Sequence, residues 1–595
     1  MNKSSAIYTE KNNCQDCYKC VKNCPVKAIK LEDGSASVIP ELCIYCGKCT
    51  QVCPANAKKV RDDIPLVRAA LSKEKIIVSL APSYLSEYNK EDIHNVIAAF
   101  HEAGFYGVSE TALGAEKVAL DTRTWLDKQE NGVYISSCCP SAVLLVKKYY
   151  PQYSSSIAPV YSPMVAHAKF LKSIYPDAKV LFVGPCVAKK TELEHFGNLI
   201  DYVLTFKDIK TLFEDMGIFF EFMKPTEEDV FIPIKANNGN LYPIDGGMLT
   251  CMINSISSEP KRISHNSGKD VDVRYMTFSG VQNLMDIFND FDSLKEYGKV
   301  FIEVMTCDGG CIKGPCSNSD KSSASKRLNI LDKVRNNERN ENILDKLKSI
   351  DISTNYDFIN KVEKKEYTLQ QIYEALRMVN KKSENDELNC GGCGYDNCKE
   401  FAKALIAGKA ENDMCISYMR RMAQDKTNIL LKKMPSGIVI VNDKMKVVDA
   451  NQNFADLLGD EVKMIFEANP GLNGADLTKL IDFHKFFSSV LQSGEDVVEQ
   501  DIRDGDNFYS LSVFSVQKYS LVCGIIQNLH APEVRKDLVL NRTKEVIMEN
   551  MKVVQQIAFL LGENASYTES MLNSILESHN DSKEGSDTIK NDDKK

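Results

Sequence analysis

The sequence has no long apolar run, no secretory leader and no excess of basic residues. No apolar stretch approaches the length of a membrane-spanning helix. The first residues, Met1 to Ala6, lack the apolar segment of a secretory signal. The formal net charge of −9 provides no basic footprint for nucleic acid. These absences predict a cytoplasmic chain that neither spans a membrane nor binds nucleic acid.

Cysteine is the residue that the chain has in abundance. With 595 residues, of which 43% are apolar and 26% charged, the composition is that of a soluble protein with several domains. Its 20 cysteines, in a chain predicted to be cytoplasmic, argue against a disulfide framework. Thiolates at this density indicate iron–sulfur chemistry, with structural zinc as the alternative.

The first two cysteine runs share one spacing, Cys-x2-Cys-x2-Cys-x3-Cys-Pro, starting at Cys14 and at Cys43. This doubled run resembles the bacterial ferredoxin domain, in which the fourth cysteine of each run ligates the cluster of the other run. The resemblance implies two [4Fe–4S] clusters. Their ligands are Cys14, Cys17, Cys20 and Cys53 for one cluster, and Cys24, Cys43, Cys46 and Cys49 for the other.

Between about residues 60 and 320, short apolar strands alternate with amphipathic helices, as at 76–80 and 93–101. This pattern predicts an α/β domain with parallel-sheet character. Three cysteine-containing segments, 136–140, 184–192 and 303–311, lie at or directly after such strands. Because open α/β sheets bind ligands at the carboxyl ends of their strands, we expect these thiols to converge.

The same three segments resemble the signature loops of the [FeFe]-hydrogenase catalytic domain. The resemblance implies an H-cluster, in which a [4Fe–4S] cube is joined through the Cys311 sulfur to a diiron unit with CO and cyanide ligands. The ligands of the cube would be Cys139, Cys186, Cys307 and Cys311.

Further active-site residues follow from this resemblance. Cys138 corresponds to the thiol that shuttles the proton, and Lys189 to the lysine that hydrogen-bonds a cyanide ligand. Met305 matches a methionine beside the bridging ligand, with an ordinary core role as the alternative, and Lys190 is interpreted as a surface lysine. The segment that contacts the active-site ligands is Ala81, Pro82 and Ser83.

The chain also departs from the family pattern. Ala142 stands where catalytic members have tryptophan, Gly184 where they have methionine, and 313–316 replaces a glycine-rich stretch. In the family's proton route, two glutamates and a serine are replaced. The replacing residues are Thr122, Trp125 and Ala158. General acid–base relays need groups that titrate near the working pH, so we expect a diiron site whose usual proton route is interrupted.

A third cysteine set, Cys390-x2-Cys393-x4-Cys398-x16-Cys415, lies among glycines that allow a tight loop. Its spacing resembles a small [4Fe–4S] domain of anaerobic electron-transfer proteins. The remaining cysteines include Cys251 and Cys523, which have the apolar surroundings of buried small hydrophobes. The role of Cys316 stays open.

After Cys415 the pattern changes to strand, turn, strand and Ala-Asn-x-x-Phe-x-x-Leu-Leu-Gly, which resembles the start of a PAS sensory domain. Later strands are predicted at 508–516 and 519–527, and His484 is predicted to be a core residue rather than a haem ligand. Apolar residues at heptad spacing from Ile547 to Leu561 predict a dimerisation or signalling helix. The alternative is a helix that packs on its own sheet.

The predicted fold is therefore multidomain α/β. Its segments are an α+β ferredoxin-like 2x[4Fe–4S] domain (1–62), an α/β [FeFe]-hydrogenase H-cluster domain (63–380), a small [4Fe–4S] domain (381–424), an α+β PAS domain (425–530), a C-terminal helix (531–578) and a disordered tail (579–595).

The resemblance implies reversible interconversion of H2 with protons and electrons, with slow turnover that serves H2 or redox sensing through the PAS domain. Partners would be a ferredoxin or other redox protein, a signalling phosphatase or kinase, and a second copy through the C-terminal helix. Two alternatives stay open: a metabolic ferredoxin-linked [FeFe]-hydrogenase, and a non-catalytic iron–sulfur electron-transfer or assembly protein without the diiron unit.

Overall fold

A computed structural model describes most of the chain. The described residues are 5–88, 92–254, 273–335, 347, 349–356, 361–363, 365–504, 507–528, 546–548 and 550–551. They divide into two compact units, one within residues 1–420 and one within residues 421–595. The tail predicted at 579–595 and nearly all of the helix predicted at 531–578 lie outside the described residues.

Strands in the first unit are short. They are β1 (Ile7–Thr9), β2 (Ile29–Glu32), β3 (Ser35–Val38), β4 (Lys58–Val60), β5 (Ile76–Leu80), β6 (Gly107–Glu110), β7 (Gly132–Ile135), β8 (Lys179–Gly184), β9 (Tyr202–Thr205), β10 (Val273–Ser279) and β11 (Lys299–Met305).

Helices in the same part of the chain mostly follow the strands. They are α1 (Lys19–Asn23), α2 (Lys48–Val52), α3 (Ile64–Leu71), α4 (Tyr84–Glu87), α5 (Ile93–Glu102), α6 (Ala112–Asp127), α7 (Pro140–Tyr149), α8 (Pro163–Ile174), α9 (Lys189–His195), α10 (Phe206–Asp215), α11 (Gly247–Asn254), α12 (Val281–Asn289), α13 (Ser323–Arg335), α14 (Leu369–Met378), α15 (Cys398–Ile406) and α16 (Ile416–Lys433).

The first sixty residues fold as a repeat of one small motif. Each cysteine run ends in a one-turn helix, α1 or α2, and each run turns through left-handed residues at equivalent positions, Asp16 (φ 51) and Tyr45 (φ 54). The outer strands β1 and β4 pair antiparallel, as do β2 and β3. The matching backbone shows that the repeated spacing folds the same way twice.

Two parallel sheets form the α/β part. One has the order β6-β5-β8-β9 and the other the order β10-β11-β7. Strands β5 and β11 are buried along their whole length, which explains why most of their residues are apolar. The parallel α/β character was predicted, whereas the division into two sheets was not.

The second unit contains a five-stranded antiparallel sheet in the order β13-β12-β16-β15-β14. Its strands are β12 (Gly437–Asn442), β13 (Val447–Ala450), β14 (Val497–Asp504), β15 (Asn507–Gln517) and β16 (Leu521–Asn528). Its helices are α17 (Gln452–Leu457), α18 (Asp460–Ala468), α19 (Leu477–Leu480) and α20 (Lys485–Ser493).

Asn451 connects the motif predicted after Cys415 to this sheet. Its side-chain oxygen accepts from the Phe454 amide at 3.0 Å, which caps α17, and from the Ile438 amide of β12 at 2.8 Å. Phe454 is fully buried in the core of the unit. The Ala-Asn-x-x-Phe pattern therefore fixes a strand-to-helix corner, while the PAS assignment itself stays a prediction.

No helix among the described residues is both long enough and apolar enough to cross a membrane.

Candidate metal centres and active-site cavity

The ferredoxin-type cysteines are held by their own loops. The Cys24 sulfur accepts from the Ala28 amide at 3.2 Å, and the Cys53 sulfur accepts from the Ala57 amide at the same distance. Such amide donors stabilise a thiolate. The closing cysteine of each run is thus prepared in the same way by the backbone that follows the Cys-Pro step.

Electrostatic contacts group Cys24 with the second run. The pKa of the Cys46 thiol is raised to about 12, chiefly by burial and in part by the charges of Cys24 and Cys43. Burial likewise raises the pKa of Cys49, with contributions from Cys43, Cys46 and Cys24. In the first run, burial raises the pKa of Cys20 to about 11, and Cys14 and Cys17 act in the same direction. For Cys24, this grouping is the one that the ferredoxin resemblance implies.

The central cysteines lie at the ends of strands from both parallel sheets. Cys139 is the N-cap of α7 after β7, while Cys307 and Cys311 follow β11 in the same sheet. Cys186 follows β8 of the other sheet. The segment Ala81–Ser83 follows β5, the neighbour of β8. All of these positions are at carboxyl ends of parallel strands, as the α/β pattern predicts.

These strand ends enclose one cavity. Its walls contain every non-ferredoxin residue that the hydrogenase resemblance implicates. They are Ala81, Pro82, Ser83, Cys138, Cys139, Cys186, Lys189, Met305, Cys307 and Cys311. Gly310, at φ 93, lets the loop between Cys307 and Cys311 pass the Pro243 carbonyl, which a side chain at this position would strike.

The donor set of the cavity suits the cationic core of an iron–sulfur cluster. Burial raises the pKa of Cys186 to about 11, with Cys139 adding to the effect, and burial raises that of Cys307 well above its usual range. Because burial and mutual repulsion oppose thiolate formation, four thiolates need a bound cationic core. The buried Ser83 hydroxyl has no hydrogen-bond partner among the described residues, so it is available to a ligand.

A single metal ion would need its ligand side chains close together. Among the residues for which coordinates are described, no three His, Cys, Asp or Glu side chains are spaced to bind one metal ion.

Lys189 presents a buried ammonium group to the cavity. Its Nζ donates to Glu192 Oε2 at 2.6 Å and to Ser162 Oγ at 2.9 Å. Burial alone would lower its pKa, but Glu192 and the nearby thiols raise it above the usual range. An ammonium has three donors, so one remains for an anionic ligand.

Lys190 is not a surface lysine, and that prediction is wrong. Its side chain is fully buried, and its Nζ lies 2.9 Å from Asp63 Oδ2 and 3.1 Å from Asp208 Oδ2. It also donates to the Arg61 carbonyl at 2.7 Å. Adjacent lysines on α9 therefore point to a cavity and to a buried charge network.

Glu303 is a cavity residue that sequence reasoning missed. Its carboxylate accepts from the Met248 and Leu249 amides at 3.2 and 3.3 Å, at the start of α11. Burial raises its pKa to about 8. It lies within electrostatic reach of Cys138, whose Sγ is 3.4 Å from Met248 Sδ. The signal was available as a charged residue inside the apolar run of β11.

The departure at Gly184 has a structural counterpart. A Cβ atom on Gly184 would lie 2.8 Å from the Phe182 ring and 2.8 Å from the Ala81 Cβ. Phe182 lines the same cavity. The Phe182 ring therefore occupies volume that a larger residue at 184 would need.

The replaced positions of the family's proton route lie in largely apolar surroundings. Ala158 is fully buried, and Cys138 and Trp125 pack against the same hydrophobic cluster. Trp125 makes an edge contact with Tyr134 at a centroid distance of 5.3 Å. The buried Thr122 hydroxyl has no partner among the described residues.

The departure at 313–316 packs on the ferredoxin-type repeat. A Cβ atom on Gly47 would strike the Pro315 ring, and one on Gly314 would lie 2.7 Å from the Pro185 Cβ. Cys316 is buried, and its amide donates to the Pro185 carbonyl at 3.1 Å. These contacts give Cys316 a packing position between the central loops and the repeat.

Helix α7 provides a second connection to the repeat. It begins at the cavity, and in its last turn Lys148 Nζ donates to the Cys43 carbonyl at 2.7 Å and the Pro40 carbonyl at 3.0 Å. Tyr149 donates to the Leu42 carbonyl at 2.7 Å. Cys46 is within electrostatic reach of Cys307. The second cysteine run therefore borders the central cavity.

Hydrogen-bonding side chains hold the loop of the third cysteine set in place. Asn389 accepts from the Cys398 amide at 2.8 Å, and Cys415 Sγ is 3.2 Å from Ser417 Oγ. Burial raises the pKa of Cys393, and Cys415 and Cys390 act in the same direction. Outside the sets, Cys251 and Cys523 are buried, as expected for small hydrophobes.

Three family models match segments of the chain. Residues 74–315 match the iron-only hydrogenase large subunit, C-terminal domain. Residues 13–57 match a 4Fe-4S dicluster domain, and residues 386–417 match a putative Fe-S cluster domain.

Known relatives are distant. Iron hydrogenase 1 of Clostridium pasteurianum is 25% identical over 41% of this chain and 50% of its own length. The cytosolic Fe-S cluster assembly factor NAR1 of Scheffersomyces stipitis is 28% identical over 25% of this chain and 31% of its own. A solved structure of the [FeFe]-hydrogenase HydA1 from Chlamydomonas reinhardtii aligns with TM-score 0.39 and 16% identity, covering 49% of this chain and 94% of that one.

The chain spans about half the length of the first curated hydrogenases that it matches, 50% and 58%. The three cysteine-rich parts of the chain and the cavity at the strand ends agree with the three family matches. Residues 74–315 thus resemble the C-terminal domain of the iron-only hydrogenase large subunit, and a segment on either side resembles an iron–sulfur domain.

Proposed function

We propose that this chain binds an H-cluster and interconverts H2 with protons and electrons slowly, as the receptor of an H2 or redox sensor. The observation that carries the proposal is the single cavity that gathers four thiols together with Cys138, Lys189 and Ser83. When bound, the diiron unit with its CO and cyanide ligands would supply the H2-splitting chemistry.

The chain's own residues have defined roles in this proposal. Cys139, Cys186, Cys307 and Cys311 hold the cube, and Lys189 donates its remaining hydrogen bond to an anionic ligand. Cys138 holds and passes on a proton at its Sγ atom. The Ala81–Ser83 segment and Met305 shape the walls around the diiron unit.

Slow turnover follows from the surroundings of Cys138. The positions that relay protons in the family are here Thr122, Trp125 and Ala158, and the last two pack with Cys138 around an apolar cluster. Apolar side chains cannot accept or donate a proton, so transfer beyond Cys138 is expected to limit the rate.

Signal output is proposed to run through the third cysteine set. Helix α16 begins directly after Cys415 and continues toward β12 in the chain. A change of cluster charge at Cys415 acts on the first residues of this helix, and the proposed PAS domain and C-terminal helix transmit it to a kinase, a phosphatase or a second copy. Such a switch needs two states with different interaction energies.

Infrared spectroscopy of the anaerobically matured chain tests the cofactor. Bands of bound CO and cyanide are expected, and their loss in Cys311→Ser is the matched control. A chain that contains all its iron and sulfide but shows no such bands would contradict the proposal. That result would favour the non-catalytic alternative, in which a match to an assembly factor such as NAR1 is the more relevant one.

Rate and signalling need separate measurements. H2 evolution as fast as that of metabolic hydrogenases would contradict a sensor. Hydrogen exchange in Ile416–Lys433 is expected to differ between H2 and argon, and identical exchange would contradict the output route.

A further inference from the structure

The third cysteine set is packed against the ferredoxin-type repeat at helix α1. Gly394, between Cys393 and Tyr395, adopts φ 87, and a Cβ atom there would lie 3.1 Å from the Lys22 amide nitrogen and 3.2 Å from the Val21 Cβ. Lys27 Nζ donates to the Gly394 carbonyl at 2.9 Å. Because α1 carries Cys20 and is followed at once by Cys24, this contact brings the third set next to ligands of both ferredoxin-type clusters.

Tyr395 fills the space between the two sets. It is buried, and it packs with Val21, Cys20, Phe401 and Cys415 in one hydrophobic cluster. Lys27 Nζ is 5.8 Å from the centre of its ring. Besides burial, the charges of Cys393 and Cys24 act on its hydroxyl, so the ring is within electrostatic reach of a cysteine from each set.

A further backbone contact continues this interface. The Leu31 amide of β2 donates to the Lys409 carbonyl, beyond α15, at 3.0 Å. One cysteine of the third set is open to solvent, since Cys390 is exposed while Cys398 and Cys415 are buried. The third centre therefore has one protein-facing side and one solvent-facing side.

We propose that the third iron–sulfur centre exchanges electrons directly with the ferredoxin-type clusters across α1, and that it is the exit of the chain's electron relay. On the inner side, Cys24 and Cys46 of the repeat line one surface pocket together with Cys307 of the central cavity. The order of centres is then the cavity cube, the cluster containing Cys24 and Cys46, and the third centre beside Tyr395, with Cys390 at the surface.

The proposed transfer between the clusters moves a single electron. One electron leaves a reduced ferredoxin-type cluster and enters the oxidised third cluster, and no bond or proton changes place. Under the proposed function H2 is the source of the electron, so the physiological role of the relay rests on that function. The step itself needs only a chemical reductant.

Electron paramagnetic resonance on the full chain, reconstituted anaerobically and reduced with dithionite, tests the proposal. Spin–spin broadening and fast relaxation of the ferredoxin-type signals are expected. Both should be reduced in Cys390→Ser/Cys393→Ser, which removes the third cluster and leaves only the coupling among the remaining clusters. Superimposable ferredoxin-type signals in the two proteins would overturn the proposal.

If the cysteine variant also loses iron from the ferredoxin-type clusters, a pair of glycine variants tests the contact with α1 instead. Gly394→Val meets α1, whereas Gly408→Val meets nothing within 4 Å, and both glycines have positive φ (87 and 65). Weaker coupling in Gly394→Val alone, at unchanged iron content, supports the proposal. Equal coupling in both variants overturns it. Missing CO and cyanide bands would contradict only the proposed H2 chemistry, because these measurements use neither H2 nor the diiron unit.

Discussion

Single side chains in the hydrogenase-type domain show how burial decides the cost of a charge. Lys190 has no exposed surface and lies against Asp63 and Asp208. Lys190→Met would remove the buried ammonium that Asp63 and Asp208 share, so we expect a loss of about 3–5 kcal/mol in the free energy of unfolding. The fluorescence of Trp125, the only tryptophan, reports on this domain.

The matched control is Lys210→Met. The Lys210–Glu214 pair is 3.8 Å apart, and its side chains are 65% and 53% exposed, so its loss should change stability by under about 0.5 kcal/mol. Equal effects of the two substitutions would show that the buried network around Lys190 is not stabilising.

Glu116 on α6 gives a prediction about pH. It accepts from the Asn237 and Gly239 amides at 2.6 and 3.1 Å, yet burial raises its pKa from 4.5 to about 7. Between these pH values the unfolded chain has released the proton while the folded chain retains it, so this group lowers stability as pH rises, by at most about 3 kcal/mol. Glu116→Gln should flatten the unfolding free energy between pH 5 and 7.

Glu102→Gln, at an exposed position near the end of α5, provides the control because it alters a carboxylate in contact with solvent. It should leave the pH dependence of unfolding unchanged. If Glu116→Gln retains the native slope, the carboxylate is ionised in the folded chain at low pH, contrary to its burial.

The Phe182 ring occupies space that a larger side chain at position 184 would need, and this can be tested. Gly184→Met should destabilise the domain by about 1–3 kcal/mol because the new side chain meets the Phe182 ring. In a double-mutant cycle, adding Phe182→Ala should recover part of this loss. Additive effects of the two changes would contradict a shared volume.

At the scale of elements, a buried strand at the centre of a sheet was predictable and a polar edge strand was not. The predicted strand at 76–80 corresponds to β5, because central strands of parallel sheets are rich in apolar residues. Strand β14 was missed, since as the last strand of its sheet it carries polar residues and gives no apolar signal.

The candidate site divides in the same way. Its cysteines, glycines and prolines could be identified from their spacing, because loops that surround a cluster need these residues. Phe182 and Tyr395 could not be assigned, because their importance arises from neighbours that are distant in sequence. Lys190 was misjudged for that reason: its two carboxylate partners come from residues 63 and 208.

Helix α7 links two centres, and its far end can be tested separately. Lys148→Met removes the donor to the Pro40 and Cys43 carbonyls. We expect faster loss of ferredoxin-type iron to a chelator, because the loop that carries Cys43 is less constrained. Visible absorbance during chelation measures this rate, and exposed Lys128→Met is the control. Equal rates in the two variants would contradict the role of α7.

At the scale of the whole molecule, the two units should respond differently to loss of metal. All sixteen cysteines of the proposed clusters lie within residues 1–420, and the hydrophobic core of the second unit contains none of them. Hydrogen exchange after anaerobic chelation should therefore rise in α1, α2 and the central loops, and remain slow in β12, β15 and β16. Uniform acceleration along the chain would contradict independent units.

The origin of the central thiols bears on how the domain matures. Three of them, Cys139, Cys307 and Cys311, come from the sheet that contains β7 and β11, while Cys186 comes from the sheet that contains β8. A cube that needs all four can form completely only after the two sheets have come together. A newly made chain would then take up its central cluster only after the two sheets have packed correctly against each other.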